Sequence, residues 1–300
     1  MTLYDFHIHS ACSSDGELTV PQLVEACAER GLHAFALTDH NSVRGVGEAA
    51  QLAREQGIRF LPGIEIDCNY AGTDLHLLGY GIDCESADFA RLEEAVAARV
   101  RESFDRMVEN LLRLGFAVDA GTVLAAAGER LPTAELIAEV MLAHPEYDTP
   151  PLAPYKPGGS RSDMPCINFY LDYFAQGRPA WVPVEYMPFR EAVELVRDNG
   201  GVPVVAHPGL NLKGRERVVE ELLDRGAAGL EAFNNYHTAE QAAWFAETVS
   251  RRGAWMTAGS DFHGKTKPAI RIGEYPLDER YAGRLADFVD HVDVVRRQGV

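Results

Sequence analysis

Leu3-Tyr4-Asp5-Phe6-His7-Ile8-His9 opens the chain, and the rest of the fold is read outward from it. An apolar run this short, with aromatic and branched side chains, predicts a strand over residues 3–9. Alternate residues of a strand share a face, so His7 and His9 turn both imidazoles to one side at its C-terminal end. A helix start follows at Thr19-Val20-Pro21-Gln22, where Thr19 and Gln22 have capping-box spacing, Pro21 suits a first turn and Gly31 is placed to end the helix. A second apolar run over 34–38 completes one β/α unit.

The same rhythm continues with a helix over 46–56 stopped by Gly57, a strand over 60–66 and another over 75–80. It then breaks. Residues 86–115 read as one long helix, followed by helical pieces over 120–127 and 133–143, a loop rich in Pro and Gly over 149–160, and a segment over 166–176. Strands resume at 181–184, 203–206, 230–233 and 255–258, with helices between. Alternation of this kind predicts an α/β protein with a parallel barrel or open sheet. Residues 1–85 and 177–300 form that body, and 86–176 form a mostly helical insertion that caps it.

Composition narrows the function. The 300 residues are 46% hydrophobic and 24% charged, ordinary for a protein with a large core. The balance of 28 Lys+Arg against 45 Asp+Glu gives −17, which opposes a long nucleic acid as the main ligand. Cys12, Cys27, Cys68, Cys84 and Cys166 are scattered without C-x-x-C spacing and read as reduced thiols of a cytoplasmic protein. The N-terminal residues show no secretory signal, and no apolar run approaches the roughly 20 residues that cross a bilayer, so no membrane partner is expected.

The histidines carry the chemistry. Of ten, six fall at the ends of expected strands: His7, His9, His40, His76, His207 and His263. In α/β proteins sites are built at the C-terminal rim of the sheet. Asp15, Glu65 and Asp261 join them there. One such histidine alone is usually structural. So many titratable groups on one rim would repel one another and resist burial unless cations neutralised them, so a metal cluster is expected.

His7-Ile8-His9, Thr38-Asp39-His40-Asn41, Gly63-Ile64-Glu65, His207-Pro208-Gly209 and Ser260-Asp261-Phe262-His263 together closely resemble the signatures of the polymerase and histidinol phosphatase (PHP) family of the amidohydrolase-like superfamily. The resemblance runs from Leu3 to about His263. It implies a distorted (β/α)7 barrel with two to three divalent metal ions. The implied ligands are His7, His9, Glu65 and Asp261 for a first metal, Glu65, His76 and His207 for a second, and Asp15, His40 and His263 for a third. Nitrogen and oxygen ligands without a thiolate suit manganese, iron or zinc. Three carboxylates against three divalent ions leave an electropositive centre that attracts a phosphoryl group and makes a bridging water acidic enough to yield hydroxide.

Substrate selection is expected elsewhere. In Lys156-Pro157-Gly158-Gly159-Ser160-Arg161-Ser162-Asp163, Arg161 is the candidate phosphate clamp, with Lys156 beside it and Asn168 and Tyr170 lining the cap. Lys213, Lys265 and Lys267 are candidates for a second anionic group, and His237 for binding phosphate or protonating the leaving group. His33, His144 and His291 read as plain surface residues. Within the family these motifs look like the subgroup that hydrolyses small phosphate esters. The leading expectation is a cyclic phosphate dihydrolase on 5-phosphoribosyl 1,2-cyclic phosphate, with a nucleoside 3′,5′-bisphosphate 3′-phosphatase next. A 5′-to-3′ exonuclease on short RNA and a non-enzymatic metal-binding accessory module are the competing readings.

Overall fold

A computed structural model describes residues 3–128 and 130–298. Strand β1 (Leu3–Ile8) lies parallel to β2 (Leu32–Leu37), and β2 parallel to β3 (Arg59–Tyr70). β1 and β2 are almost wholly buried, as expected of parallel strands covered on both faces. The helix between them, Val20–Arg30, starts as the sequence predicts: Gln22 Oε1 accepts from the Thr19 amide at 3.0 Å, and Gly31 closes the helix in the left-handed region. The chain adds β4 (Thr73–Tyr80), β5 (Met187–Pro188), β6 (Val202–Val205), β7 (Gly229–Phe233) and β8 (Trp255–Ala258). The order across the sheet is β1-β2-β3-β4-β6-β7-β8, with β5 pairing β3 off this path.

Two expectations need correction. The sheet is not all parallel: β4 runs antiparallel to both β3 and β6. Its cause is local. Ala71 and Gly72 both take positive φ, 50° and 77°, in a two-residue turn that folds β3 straight back into β4. The predicted strand over 181–184 is irregular, and the short strand of that region is β5, which pairs with Cys68 and Asn69 of β3.

Because β4 inverts the direction twice, β6, β7 and β8 again run with β1, β2 and β3, and their C-terminal ends share one rim. The segment after β8 returns to β1 there. Ile8 and Phe262 form a parallel bridge, the Asp261 amide donates to His7 O at 2.8 Å, and the His9 amide donates to Phe262 O at 2.9 Å. Gly259 permits the approach, since a Cβ at that position would lie 2.3 Å from His7 Cβ.

The main core lies between the sheet and its helices, with Phe6, Tyr80 and Phe288 in edge and tilted contact. The first half of the long helix Ala87–Arg113 packs on this core through Phe89, Leu92, Val96 and Val100. Its second half belongs to a separate core with Phe116, Ile137, Met141, Tyr155 and Phe169. No helix among the described residues is long and apolar enough to cross a membrane.

Candidate metal centre

Alternation along β1 puts His7 and His9 side by side, with ring centroids 5.1 Å apart. His7 Nδ1 lies 3.1 Å from Glu231 Oε1, which directs Nε2 into the centre. There His7 Nε2 stands 3.1 Å from Glu65 Oε2 and 3.3 Å from Asp261 Oδ1, and His9 Nε2 stands 3.2 Å from both oxygens. The other oxygen of Glu65 faces a second group: Oε1 is 2.9 Å from His76 Nδ1 and 2.9 Å from His207 Nε2. Glu65 thus joins two groups, with a separate oxygen for each.

The third group is Asp15, His40 and His263, with His9 alongside. Asp15 Oδ2 is 3.1 Å from His263 Nε2 and 3.9 Å from His40 Nε2. His40 Nδ1 and His76 Nε2 flank Asp67 Oδ1 at 3.4 and 3.3 Å. All nine residues expected from the sequence therefore meet at one rim, in four overlapping groups, with His9 added to Asp15, His40 and His263, and with His40 and His76 also grouped around Asp67. Asp67 makes a tenth. His76 sits inside β4 rather than at a strand end. Because β4 is inverted, its early residues reach the rim where its parallel neighbours finish.

These residues fit divalent cations. His7 Nε2, His9 Nε2, His40 Nδ1, His263 Nε2 and Glu65 Oε2 are buried without a hydrogen-bond partner, and all belong to the facing sets of ligand atoms. Buried polar atoms are normally satisfied, so a concentration of lone atoms calls for an ion. Burial alone would raise the Glu65 carboxyl, but the His7, His40 and His76 rings overcome it and hold it well below the ordinary range. Burial likewise opposes ionisation of Asp261, and Lys267 and His7 outweigh it. Burial pushes His263 down to about 4, toward the neutral ring that ligates metal. Asn41, His207 and Asp261 adopt positive φ at this rim, a strain typical of functional sites.

The surrounding contacts fix the ligands in place. Glu231 Oε2 also accepts from the His207 amide at 2.8 Å. Asn211 Oδ1 meets His207 Nδ1 at 2.7 Å, and Asp39 accepts from Ser10 N and Oγ at 2.6 and 2.7 Å. Such outer contacts set tautomer and ring orientation. A cavity of about 70 Å³ opens on the ligands, walled on one side by Glu135, Cys166, Ile167, Tyr170 and Leu171 and on the other by Tyr236 and Lys267.

The expected substrate residues fare differently. Lys267 is the one the structure brings to the ligands: it is buried, with Nζ 2.7 Å from Asp261 Oδ2 and over the Tyr236 ring. It therefore belongs to the metal-facing cavity rather than to a remote anchor. Arg161 is not among the residues lining the metal-facing cavity, and its Nε and Nη2 donate to both oxygens of Asp172 at 3.0 and 2.9 Å. Asn168 is buried, donating to Arg161 O and Asp163 Oδ1, and Lys156 donates to Leu142 O and pairs with Asp148. Lys265 reaches Glu139 of the cap at 2.6 Å, and Lys213 is exposed outside the cavity lining. His237 is engaged within the fold. Its Nδ1 donates to Ala232 O at 3.0 Å and its Nε2 accepts from the Gly209 amide at 3.2 Å, leaving neither for substrate.

Asp67, Glu231 and Glu135 were missed. Asp67 follows Glu65 with the same two-residue spacing as His7 and His9, and escaped because β3 runs past residue 66. Glu231 interrupts an apolar strand, which is itself a signal. Nothing in the sequence places Glu135, on the cap helix Ala134–Ala143, at the cavity.

A PHP domain profile matches residues 5–144. The 3′,5′-nucleoside bisphosphate phosphatase of Chromobacterium violaceum is 29% identical over 279 residues, 91% of each chain. The phosphoribosyl 1,2-cyclic phosphate 1,2-diphosphodiesterase of Eggerthella lenta is 29% identical over 271 residues, 90% of this chain and 97% of its own. Among solved structures, an amidohydrolase from Chromobacterium violaceum with bound sulfate superposes with TM-score 0.78 at 25% identity, over 97% of both chains. The histidine and carboxylate sets at the rim and these likenesses agree: residues 5–144 carry a PHP domain, and the chain is a metal-dependent phosphoesterase, a hydrolase of phosphoric ester bonds.

Proposed function

We propose that this chain releases phosphate from a small ribose ester carrying two phosphoryl groups, at a centre of two to three manganese, iron or zinc ions. His7, His9, Glu65 and Asp261 would hold one ion, Glu65, His76 and His207 a second, and Asp15, His40 and His263 a third. The observation that carries the reading is the two-sided contact of Glu65 amid lone, buried ligand atoms. Ions held there supply positive charge to phosphoryl oxygens and acidify the attacking water. The chain's own residues do the rest. Lys267 offers a buried ammonium at the cavity wall, where an anionic oxygen can replace part of its contact with Asp261. Ile167, Leu171 and Leu210 make the wall apolar and limit water access.

The cyclic ribose phosphate and the nucleoside 3′,5′-bisphosphate both belong to this class. The test is phosphate release by manganese-loaded protein from both esters, histidinol phosphate and a short RNA. Release from either ribose ester at least tenfold more efficient than from the other two compounds is expected. Preference for the RNA would replace this reading with an exonuclease, and no release from any would return the chain to a binding role.

A further inference from the structure

Helix Ala134–Ala143 brings one carboxylate to the metal-facing cavity. Thr133 caps the helix, its side chain accepting from the Leu136 amide at 3.3 Å, and Glu135 follows in the first turn. The Glu135 carboxylate takes hydrogen bonds from its own amide and from the Thr133 side chain, so these partners come from its own helix start and its cavity side is left for a ligand. It lies within electrostatic reach of the third ligand set: burial and the Asp15 carboxylate push the Glu135 carboxyl up, and the His40 ring opposes them.

Among the described residues lining that wall, Glu135 alone is charged. Cys166 is a thiol pushed up to about 11 by burial, Tyr170 is a phenol pushed up by burial and by the Glu135 carboxylate, and Ile167 and Leu171 are apolar. The opposite wall is positive, with the Lys267 ammonium beside Asp261, and the ions of the proposed centre would add to it. These charges decide what kind of group meets Glu135. The carboxylate repels a second phosphoryl group, while Lys267 and the ions repel an ammonium. A neutral donor escapes both objections, and a hydroxyl there forms a charge-assisted hydrogen bond. At about 70 Å³ the cavity is far smaller than the roughly 300–1,000 Å³ of pockets that enclose a whole organic ligand, so it admits the reacting phosphoryl group and the atoms next to it.

We propose that Glu135 selects esters with a free hydroxyl on the carbon next to the one that carries the scissile phosphate. This deepens the ribose-ester reading and rests on it for cleavage at the metal centre. It also directs the second phosphoryl group away from this wall.

The test uses full-length, manganese-loaded protein and two substrate pairs. Adenosine 3′,5′-bisphosphate is paired with its 2′-deoxy form, and 5-phosphoribosyl 1,2-cyclic phosphate with its 3-deoxy form, so that each pair differs only in the neighbouring hydroxyl. The readout is the ratio of kcat/KM with and without that hydroxyl. For the pair that wild type hydrolyses, a ratio of about 10 to 150 is expected, the worth of a hydrogen bond to a charged group. In Glu135→Ala the ratio should collapse to about one, with Glu135→Gln, which keeps an acceptor oxygen, in between. An acidic residue in a first turn also stabilises its helix, an effect that touches both members of a pair alike. A wild-type ratio retained in Glu135→Ala, or a ratio near one in wild type, therefore overturns the proposal and leaves the phosphoesterase intact. Elemental analysis should give Glu135→Ala the wild-type metal content; loss of an ion would assign Glu135 to the metals instead of the substrate. If none of the four compounds is cleaved, the ribose-ester reading fails, and calorimetric binding of the same pairs decides. Tighter binding of the hydroxyl-bearing member, lost in Glu135→Ala, supports the selection, and equal affinities overturn it.

Discussion

Glu231→Gln tests whether the centre depends on the contacts behind its ligands. Glu231 is fully buried and accepts twice, from His7 Nδ1 at 3.1 Å and from the His207 amide at 2.8 Å. Glutamine has the same shape but one acceptor oxygen and one amine. If its oxygen keeps the His207 amide, its amine faces His7 Nδ1 and forces that nitrogen to accept. The His7 proton then moves to Nε2, the atom aimed at Glu65 and Asp261, and the ring can no longer ligate. If its oxygen keeps His7, an amine meets the His207 amide, donor against donor, in a buried site. The second arrangement leaves a buried donor unsatisfied, costing about 1–3 kcal/mol, whereas the first acts through the His7 tautomer and so on metal binding. Loss of an outer contact to a metal-ligating histidine typically lowers metal affinity about 10- to 100-fold. At about 2 °C per kcal/mol for a chain of this size, the metal-free protein should melt about 2–6 °C lower. Competitive chelator titration gives the affinity and a thermal scan in EDTA gives the stability. Wild-type values for both would show that Glu231 neither sets the His7 tautomer nor braces His207.

Metal removal should itself destabilise the fold, because Glu65, Asp261 and the histidines are left facing one another. Saturation at about one hundred times Kd contributes about 2.7 kcal/mol per site, so EDTA should lower the melting point and elemental analysis of supplemented protein should give two to three ions per chain; less than one ion in folded protein sinks the centre. Asp67→Asn removes the carboxylate between His40 and His76, and should reduce both metal occupancy and phosphate release at least tenfold, measured at fixed free manganese; wild-type behaviour would make Asp67 a bystander. Arg161→Ala breaks a half-exposed pair with Asp172 that is worth about 0–1 kcal/mol, so efficiency should stay within about fivefold of wild type. A loss beyond about 100-fold would restore Arg161 as a phosphate clamp.

The metal rim was legible because its ligands occur at strand ends and in i, i+2 pairs, and because a strand end is a local feature of sequence. Val20–Arg30 was legible for the same reason, through Thr19, Pro21, Gln22 and Gly31. What the sequence hid was contact between distant segments. Arg161 and Asp172 are eleven residues apart in a loop without periodicity, and nothing local says that the guanidinium turns to that carboxylate rather than to the rim. His237 resembles the rim histidines in following a strand. Its Nδ1 is taken by Ala232 O five residues back, but whether Nε2 is free depends on Gly209, which lies on another β/α unit. Glu139, the partner of Lys265, lies on a cap helix whose docking no local pattern encodes.

The inverted strand explains how one rim gathers so many ligands. In an all-parallel arrangement each strand presents one or two side chains at its C-terminal end, and the next strand begins at the opposite rim. Here β3 runs on to Tyr70, turns through Ala71 and Gly72, and returns as β4 on the same rim. The register sets Asp67 directly across from His76, and Glu65 lies one step along the same face. Opposite residues of an antiparallel pair hold their Cβ atoms about 4.5–5.5 Å apart, which is why Asp67 and Glu65 can both meet the His76 ring. A single two-residue turn therefore supplies Asp67 and His76 and keeps both beside Glu65. Replacing Gly72 with valine should strain that turn, because a β-branched side chain resists the 77° φ recorded there. Slippage of the hairpin by one residue would send His76 to the core face and remove one ligand from the second group. Metal counts on a folded Gly72→Val protein would show it: a drop of one ion is expected, and a full complement would mean that the sheet pairing alone holds the register.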